Sequence, residues 1–278
     1  MKQRVATAVI GLMIFFFVLA FYSTPFLNVS AAAIVFLALY EMFQVTGVWK
    51  NKLLSAVCFI FGCSCVLFGV SLRDRWLGYW TAVFVLAVFC ILLFYHETLS
   101  YAKAATAFAA TAAISYAVGA LIQFRETSEN TAVGIYYTLL AFGLAWLTDT
   151  GAYLFGITLG RHKLAPKISP KKTVEGAVGG VGFCIAAVWL LTLFYQWICG
   201  SVWQIQLQIN YVLLLFLTPV GSLLSMLGDL SASLIKRQCG VKDYGSLMPG
   251  HGGIMDRFDS VFFVLPFLYL FIRLFPVI

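Results

Sequence analysis

Long apolar stretches dominate the pattern of hydrophobic and polar positions along this chain. Nine of them approach the roughly 20 residues that a helix needs to cross a bilayer, and short polar segments separate them. Because backbone N–H and C=O groups in lipid must be satisfied within the segment, these stretches predict α-helices. The alternating short strands of a membrane barrel are not visible. The predicted spans lie near residues 5–22, 29–47, 53–72, 76–95, 102–124, 132–158, 176–199, 209–235 and 258–277.

The composition supports a membrane protein. Hydrophobic residues make up 62% of the chain and charged residues only 10%, whereas soluble domains have about 45–50% apolar and about 25% charged residues. Too little polar surface exists to cover a soluble core of this size. No long hydrophilic linker interrupts the pattern, so we expect one polytopic membrane domain over residues 1–278. The predicted fold class is an all-α integral membrane protein with about nine transmembrane helices and a cytoplasmic N-terminus.

The basic residues set the predicted orientation. With the N-terminus in the cytoplasm and nine spans, most lysines and arginines fall on the cytoplasmic side, as the positive-inside rule requires. Only Arg73, Arg75, Arg125 and Arg273 fall on the opposite side. The net charge of +7 is therefore concentrated on one face, where it also attracts anionic lipids. We expect no nucleic-acid partner, because no soluble basic domain exists to hold one.

Besides Asp259 at the start of the last span, three acids lie within the predicted spans, where ionisable groups are expensive and usually functional. Glu41 lies in the second span, and its role stays open, with helix packing as the favoured interpretation. Asp149 and Asp229 each lead into one of the two longest polar segments, residues 159–175 and 236–257. We therefore assign function to both aspartates and expect the catalytic region to come mainly from residues 145–180 and 225–260.

The polar segment after Asp229 combines acids, cations and glycines. Mg²⁺ prefers one or two carboxylates together with phosphate oxygens and waters, and basic side chains offset the remaining phosphate charge. Asp256 and Asp259 are three residues apart, so they share one helix face. Capping of a helix N-terminus could explain either acid alone, but it does not explain the neighbouring cations. The candidate residues are Lys236, Arg237, Lys242, Asp243, His251, Gly252, Gly253, Asp256, Arg257 and Asp259.

The other polar segment contains "ISPKKTVEG", in which Ser169-Pro170 predicts a turn or a helix start. Lys171 and Lys172 either anchor the chain at the membrane surface or cradle a phosphate. The glycines of "GAVGGVG" (176–182) allow close helix packing or close approach of a ligand to the backbone. No P-loop, HExxH or GxSxG motif is present, which removes support for a P-loop ATPase, a zinc protease and a serine lipase.

The C-terminal motif resembles the signature of the phosphatidate cytidylyltransferase (CDP-diacylglycerol synthase) family. Its spacing matches throughout, and Met248 is a mild departure, since the family usually has Leu, Ile or Phe there. "DTGAYLFG" followed by "GRHKLAPKISPKKTVEG" also resembles a second conserved region of that family. The matching residues are Ser233, Lys236, Arg237, Lys242, Asp243, Gly245, Pro249, His251, Gly252, Gly253, Asp256, Arg257 and Asp259.

The resemblance implies a Mg²⁺-dependent transfer of CMP from CTP to phosphatidic acid, which yields CDP-diacylglycerol and pyrophosphate. It implies that Asp229 and Asp256 hold one or two cations, and Asp259 is either a further metal ligand or a helix cap. The phosphate-binding and catalytic cations would be Lys171, Lys172, Lys236, Arg237, Lys242 and Arg257. The further substrate-binding candidates are Asp149, Ser233, Asp243, His251, Gly252 and Gly253, with His251 as a contact or loop organiser rather than a base.

The resemblance also implies a multi-pass protein of the bacterial cytoplasmic membrane, with its active site facing the cytoplasm. A homodimer is compatible with it. Two alternatives stay open at this point. One is a transporter that uses Asp149 and Asp229 as proton or ion sites, which predicts symmetric halves and charge near the midplane. The other is a related nucleotidyl or phosphoryl transferase that acts on another lipid phosphate, although the CDP-alcohol phosphotransferase pattern is absent.

Overall fold

The computed structural model describes residues 2–68, 70–248 and 252–278, with side chains given outside residues 2–5 and 70–74. Of the predicted site residues, His251 alone lies outside these ranges. The chain is 78% helical, so the prediction of a nearly all-α fold is confirmed. The helices are α1 (Lys2–Ala20), α2 (Phe26–Thr46), α3 (Lys52–Leu67), α4 (Val70–Phe94), α5 (Tyr101–Thr127), α6 (Thr131–Leu159), α7 (Val174–Ile198), α8 (Tyr211–Gln238), α9 (Met255–Phe258) and α10 (Val261–Leu274).

Several helices are long and apolar enough to cross a membrane. In the part of the chain that the structure describes, six segments meet that length and hydropathy: Phe26–Thr46, Arg75–Phe94, Tyr101–Thr127, Thr131–Leu159, Val174–Trp203 and Tyr211–Gln238. Three apolar helices are shorter, at Ala6–Ala20, Lys52–Leu67 and Val261–Leu274. The protein is therefore a helical membrane protein, and the count of nine spans stays a prediction.

The chain divides into two compact units. The first comprises Met1–Glu126 and Gln238–Phe258. Within it, Asn28 of α2 donates a hydrogen bond to the Val66 carbonyl (2.9 Å) and accepts one from Arg125 (2.7 Å). Such polar bonds between helices satisfy groups that lipid cannot. One continuous membrane domain over residues 1–278 is still a prediction.

The second unit comprises Thr127–Arg237 and Asp259–Ile278. Its helices α6 and α7 pack closely, because glycines of α7 face Ala152 of α6. A Cβ on Gly176 would lie 2.7 Å from the Ala152 oxygen, and one on Gly180 would lie 3.0 Å from the Ala152 nitrogen. Of the two interpretations of "GAVGGVG", close helix packing is the one that these two glycines serve.

A β-hairpin precedes α7, and it corrects the prediction for Ser169-Pro170. Strand β1 (Lys163–Ala165) pairs antiparallel with strand β2 (Ser169–Thr173), so this dipeptide opens a strand rather than a turn or helix. Proline is tolerated at the first residues of an edge strand, where its missing N–H costs no ladder bond. The helix begins only at Val174, because the Thr173 hydroxyl accepts a hydrogen bond from Gly176 N (3.1 Å) and caps it.

Candidate active site

Helix α8 brings Asp229 beside the chain at Asp259 in the second unit. The preceding residue, Gly228, makes this possible: a Cβ there would lie 2.6 Å from the Asp259 carbonyl oxygen and 3.0 Å from Ser260 Cα. Any larger residue would push the two segments apart. Glycine at 228 therefore determines that the carboxylates of Asp229 and Asp259 belong to one site.

Asp229 has two side-chain partners in this unit. Its Oδ2 forms an ion pair with Lys172 Nζ of β2, and both side chains are about three-quarters buried, with 25% and 22% exposed. Its Oδ1 accepts a weak hydrogen bond from Ser233 Oγ, one helical turn later (3.4 Å). Both partners were predicted as substrate-binding residues, and the structure places them on an acid that the sequence predicts as a metal ligand.

Asp149 of α6 and Asp229 of α8 form an acidic cluster with Asp259, which lies near both. Ser260 Oγ donates to Asp149 Oδ2 (3.2 Å), and Ser260 N donates to Asp259 Oδ1 (2.8 Å). Asp259 is buried and lies between α9 and α10, outside the apolar helix. The Asp229 and Asp149 carboxylates both interact electrostatically with its carboxyl group. Asp259 therefore lies within electrostatic reach of two further carboxylates, those of Asp229 and Asp149.

The lysines and arginines of the second unit differ in how closely they approach this cluster. Lys236 is buried and lies within electrostatic reach of the Asp259 carboxylate. Arg237 Nε donates to the Ile168 carbonyl of the hairpin (3.4 Å), and its side chain is otherwise exposed. Lys171 is exposed, so Lys172 alone of the predicted lysine pair reaches an acid. Lys171 and Arg237 are exposed, so a ligand that arrives from solvent can reach them.

The segment with Asp256 belongs to the first unit and is built around backbone hydrogen bonds. Asp256 Oδ2 accepts from Tyr244 N (2.8 Å) and Gly253 N (3.0 Å). Gly252 has φ +83°, a conformation that favours glycine, and a Cβ there would lie 2.8 Å from Asp256 Oδ2. Met248 N donates to the Gly252 carbonyl (2.9 Å) and closes the loop. The motif glycines therefore shape the turn around Asp256.

Glu41 is the residue whose role the sequence left open. Its two oxygens accept hydrogen bonds from Ile254 N (3.0 Å) and Met255 N (2.8 Å), at the start of α9. The favoured interpretation of helix packing is incomplete, since both of these partners are backbone amides of the motif segment. In the sequence, Glu41 stands out only as an acid within an apolar span. That position indicates a functional or structural role for the acid, but it does not identify the residues that Glu41 contacts.

The remaining predicted residues are exposed. Lys242 and Asp243 lie on the surface of the loop, and Arg257 lies on the surface of α9. Among the described residues, no three His, Cys, Asp or Glu side chains are grouped so that they could hold a metal ion by themselves. The donor chemistry still suits Mg²⁺, which needs only one or two carboxylates when phosphate oxygens and waters supply the other positions.

The comparisons with known proteins decide the family. The model of the cytidylyltransferase family matches residues 2–275. The chain belongs to the cytidylyltransferase family. A protein of Staphylococcus haemolyticus (strain JCSC1435) named phosphatidate cytidylyltransferase is 37% identical over 276 residues, which cover 96% of this chain and 97% of the relative. Its namesake from Staphylococcus aureus (strain COL) is 37% identical over 279 residues, with the same coverage.

A third relative aligns over a shorter region. The phosphatidate cytidylyltransferase of Staphylococcus saprophyticus is 48% identical over 147 residues, which cover 53% of each chain. Membership of the cytidylyltransferase family makes this chain a nucleotidyltransferase. The resemblance drawn from the two motifs is thereby confirmed, and the transporter alternative is set aside.

Proposed function

We propose that this member of the cytidylyltransferase family transfers CMP from CTP to phosphatidic acid, giving CDP-diacylglycerol and pyrophosphate. The observation that carries the proposal is the match to phosphatidate cytidylyltransferases along almost the whole chain. The geometry agrees with it, because Asp229, Lys172 and Lys236 bring acids and cations together beside an apolar helix. The acyl chains of a lipid phosphate need an apolar surface, and the phosphates of both the lipid and the nucleotide triphosphate need charged partners.

The reaction needs little covalent chemistry from the protein. An oxygen of the phosphatidate phosphate attacks the α-phosphorus of CTP, and the bond from that phosphorus to the bridging oxygen of pyrophosphate breaks. The attacking phosphate is already ionised near neutral pH, so no general base is required. The protein contributes positioning and charge neutralisation, as in other phosphoryl transfers. Lys172 and Lys236 are suited to buried phosphate oxygens, and Lys171, Arg237, Lys242 and Arg257 to exposed ones.

We propose Mg²⁺ as the cofactor, and the proposal allows for a second cation. Asp229 and Asp256 would hold it, and Asp259 would contribute as a further ligand or by its charge. When bound, the cation polarises phosphate oxygens and offsets charge on the leaving pyrophosphate. Lys172 forms an ion pair with Asp229. A metal ion at Asp229 would therefore share this carboxylate with Lys172 or displace the lysine from it.

We also propose the membrane topology, which rests on the distribution of the basic residues. Nine spans with a cytoplasmic N-terminus place both polar segments on the cytoplasmic side, where CTP is found, and leave few basic residues on the other side. The protein would reside in the cytoplasmic membrane of a bacterium, with membrane lipids as neighbours. Homodimerisation stays a prediction from the resemblance.

The test is CTP turnover by the purified protein in detergent against a panel of lipid phosphates. We expect CDP-diacylglycerol with phosphatidic acid, loss of activity with a chelator and recovery on adding Mg²⁺. Inactivity with phosphatidic acid across lipid compositions, or turnover of another lipid phosphate only, would overturn the substrate assignment. Full activity of Asp256→Asn would overturn its role as a metal ligand.

A further inference from the structure

Glu41 connects two parts of the chain that are far apart in sequence. It lies in α2, is only 5% exposed, and bonds to Ile254 N and Met255 N, 213 and 214 residues later. Both carboxylate oxygens are used, one on each amide. The two hydrogen bonds attach the start of α9 to α2 through one side chain.

Two glycines close around the same carboxylate. A Cβ on Gly245 would lie 2.5 Å from Glu41 Oε1, and a Cβ on Gly253 would overlap the carboxylate. No side chain fits at either position without moving Glu41. The loop therefore approaches Glu41 from two directions, which is more than packing of an acid against a helix requires.

The segment that Glu41 holds is the one that presents Asp256. Asp256 follows Met255 directly, and its own Oδ2 accepts from Tyr244 N and Gly253 N. Two acids therefore hold this turn. Glu41 of α2 accepts hydrogen bonds from the amides of Ile254 and Met255, and Asp256 accepts them from the amides of Tyr244 and Gly253. Loss of the Glu41 bonds frees Ile254 and Met255 and lets the Asp256 backbone move.

We propose that Glu41 is a positioning residue for the cytidylyl transfer, acting through the turn that carries Asp256. The inference rests on the proposed function, since it gives Asp256 a part in the reaction. A supporting group of this kind does not touch the substrate, yet its loss typically costs about 10- to 100-fold in activity or metal affinity. A packing role alone would lower stability and leave the turnover of the folded protein unchanged.

The first experiment compares Glu41→Gln with wild type. Glutamine keeps the shape and one acceptor, but its NH₂ group faces a backbone N–H that needs an acceptor. We expect kcat to fall about 10- to 100-fold, with KM for CTP and phosphatidic acid changed by less than about twofold. Glu126→Gln is the matched control: it removes an ion pair with Arg125 (2.9 Å) in the same unit and leaves kcat unchanged.

A second readout does not depend on activity. Amide hydrogen exchange of the peptide covering residues 252–258 should accelerate in Glu41→Gln and stay at the wild-type rate in Glu126→Gln. Wild-type kcat in folded Glu41→Gln, or unchanged exchange in this peptide, overturns the proposal. If the wild type makes no CDP-diacylglycerol, the proposed function fails, and the exchange result still decides whether Glu41 holds the turn.

Gly245→Ala tests the same contact without changing the acid, and it decides the matter if Glu41→Gln does not fold. The added methyl group would displace the Glu41 carboxylate, so we expect a similar fall in kcat with KM preserved. In the double variant the two effects should be clearly less than additive, because both act through one contact. Full additivity, or normal kcat in Gly245→Ala, contradicts the proposal.

Discussion

The acids around Asp229 and those around Asp256 differ in what they are bonded to. Asp229 faces Lys172 and Ser233 and lies within electrostatic reach of the Asp259 carboxylate. Asp256 and Glu41 instead accept hydrogen bonds from four backbone amides. Side-chain partners can be exchanged for a phosphate or a cation, whereas backbone partners hold the shape of the chain. Carboxylates thus pair with side chains in one region and with backbone amides in the other.

The largest expected effect comes from removing the charge of Asp229 from the acidic cluster. Asp229→Asn keeps the size of the side chain but leaves Lys172 without its counter-ion and weakens any cation site. We expect kcat to fall about 10³-fold, at the upper end of what one electrostatic group contributes. The measurement is CTP turnover with phosphatidic acid, and a loss smaller than that of Glu41→Gln would reverse the comparison between the two regions.

Removal of the lysine from the same pair should have the second largest effect. Lys172→Met leaves the mostly buried Asp229 near Asp259 without its cation. Truncating one partner of a desolvated pair costs about 2–5 kcal/mol. We expect a fall of about 10²-fold in kcat/KM for CTP. Lys172→Arg keeps the charge with a different shape and should recover only part of the activity. Equal activity of Lys172→Met and wild type would show that the ion pair has no catalytic role.

Gly228→Ala tests whether backbone geometry also matters in the acidic cluster. Its methyl group would collide with the Asp259 carbonyl, and overpacking of this kind costs about 1–3 kcal/mol. Gly182→Ala is the matched control, because nothing lies within 4 Å of the added atom. We expect thermal unfolding at a lower temperature for Gly228→Ala only. Similar melting temperatures would mean that the Asp259 segment can shift at little cost.

The smallest expected effect lies at the start of α7. Thr173→Ala removes the cap on Gly176 N, which is worth about 1 kcal/mol. Thr173→Ser retains the hydroxyl and should restore stability, measured as the free energy of unfolding in denaturant. A loss of several kcal/mol would indicate that the hairpin, rather than the cap alone, depends on this residue.

Much of the fold follows from the sequence. Lipid forces every backbone polar group to be satisfied within its own segment, so long apolar stretches become helices, and each predicted span corresponds to an observed helix within a few residues. The hairpin at residues 163–173 was not predicted. Its strands are short and largely exposed. Beside them, Glu175 accepts a hydrogen bond from Arg161 N (3.0 Å) and pairs with His162 (2.5 Å), and neither contact can be read from the sequence pattern.

The sequence by itself determined the helical membrane fold and, through two motifs, the cytidylyltransferase family, because both depend on patterns that are local in the chain. Only the tertiary structure decided which charges share a site. Lys172 with Asp229, Ser260 with Asp149, and Glu41 with Ile254 are contacts between residues 57, 111 and 213 positions apart. Spacing along the sequence does not fix such pairs, since they depend on how closely the helices approach, and glycines such as Gly228 and Gly253 set that approach.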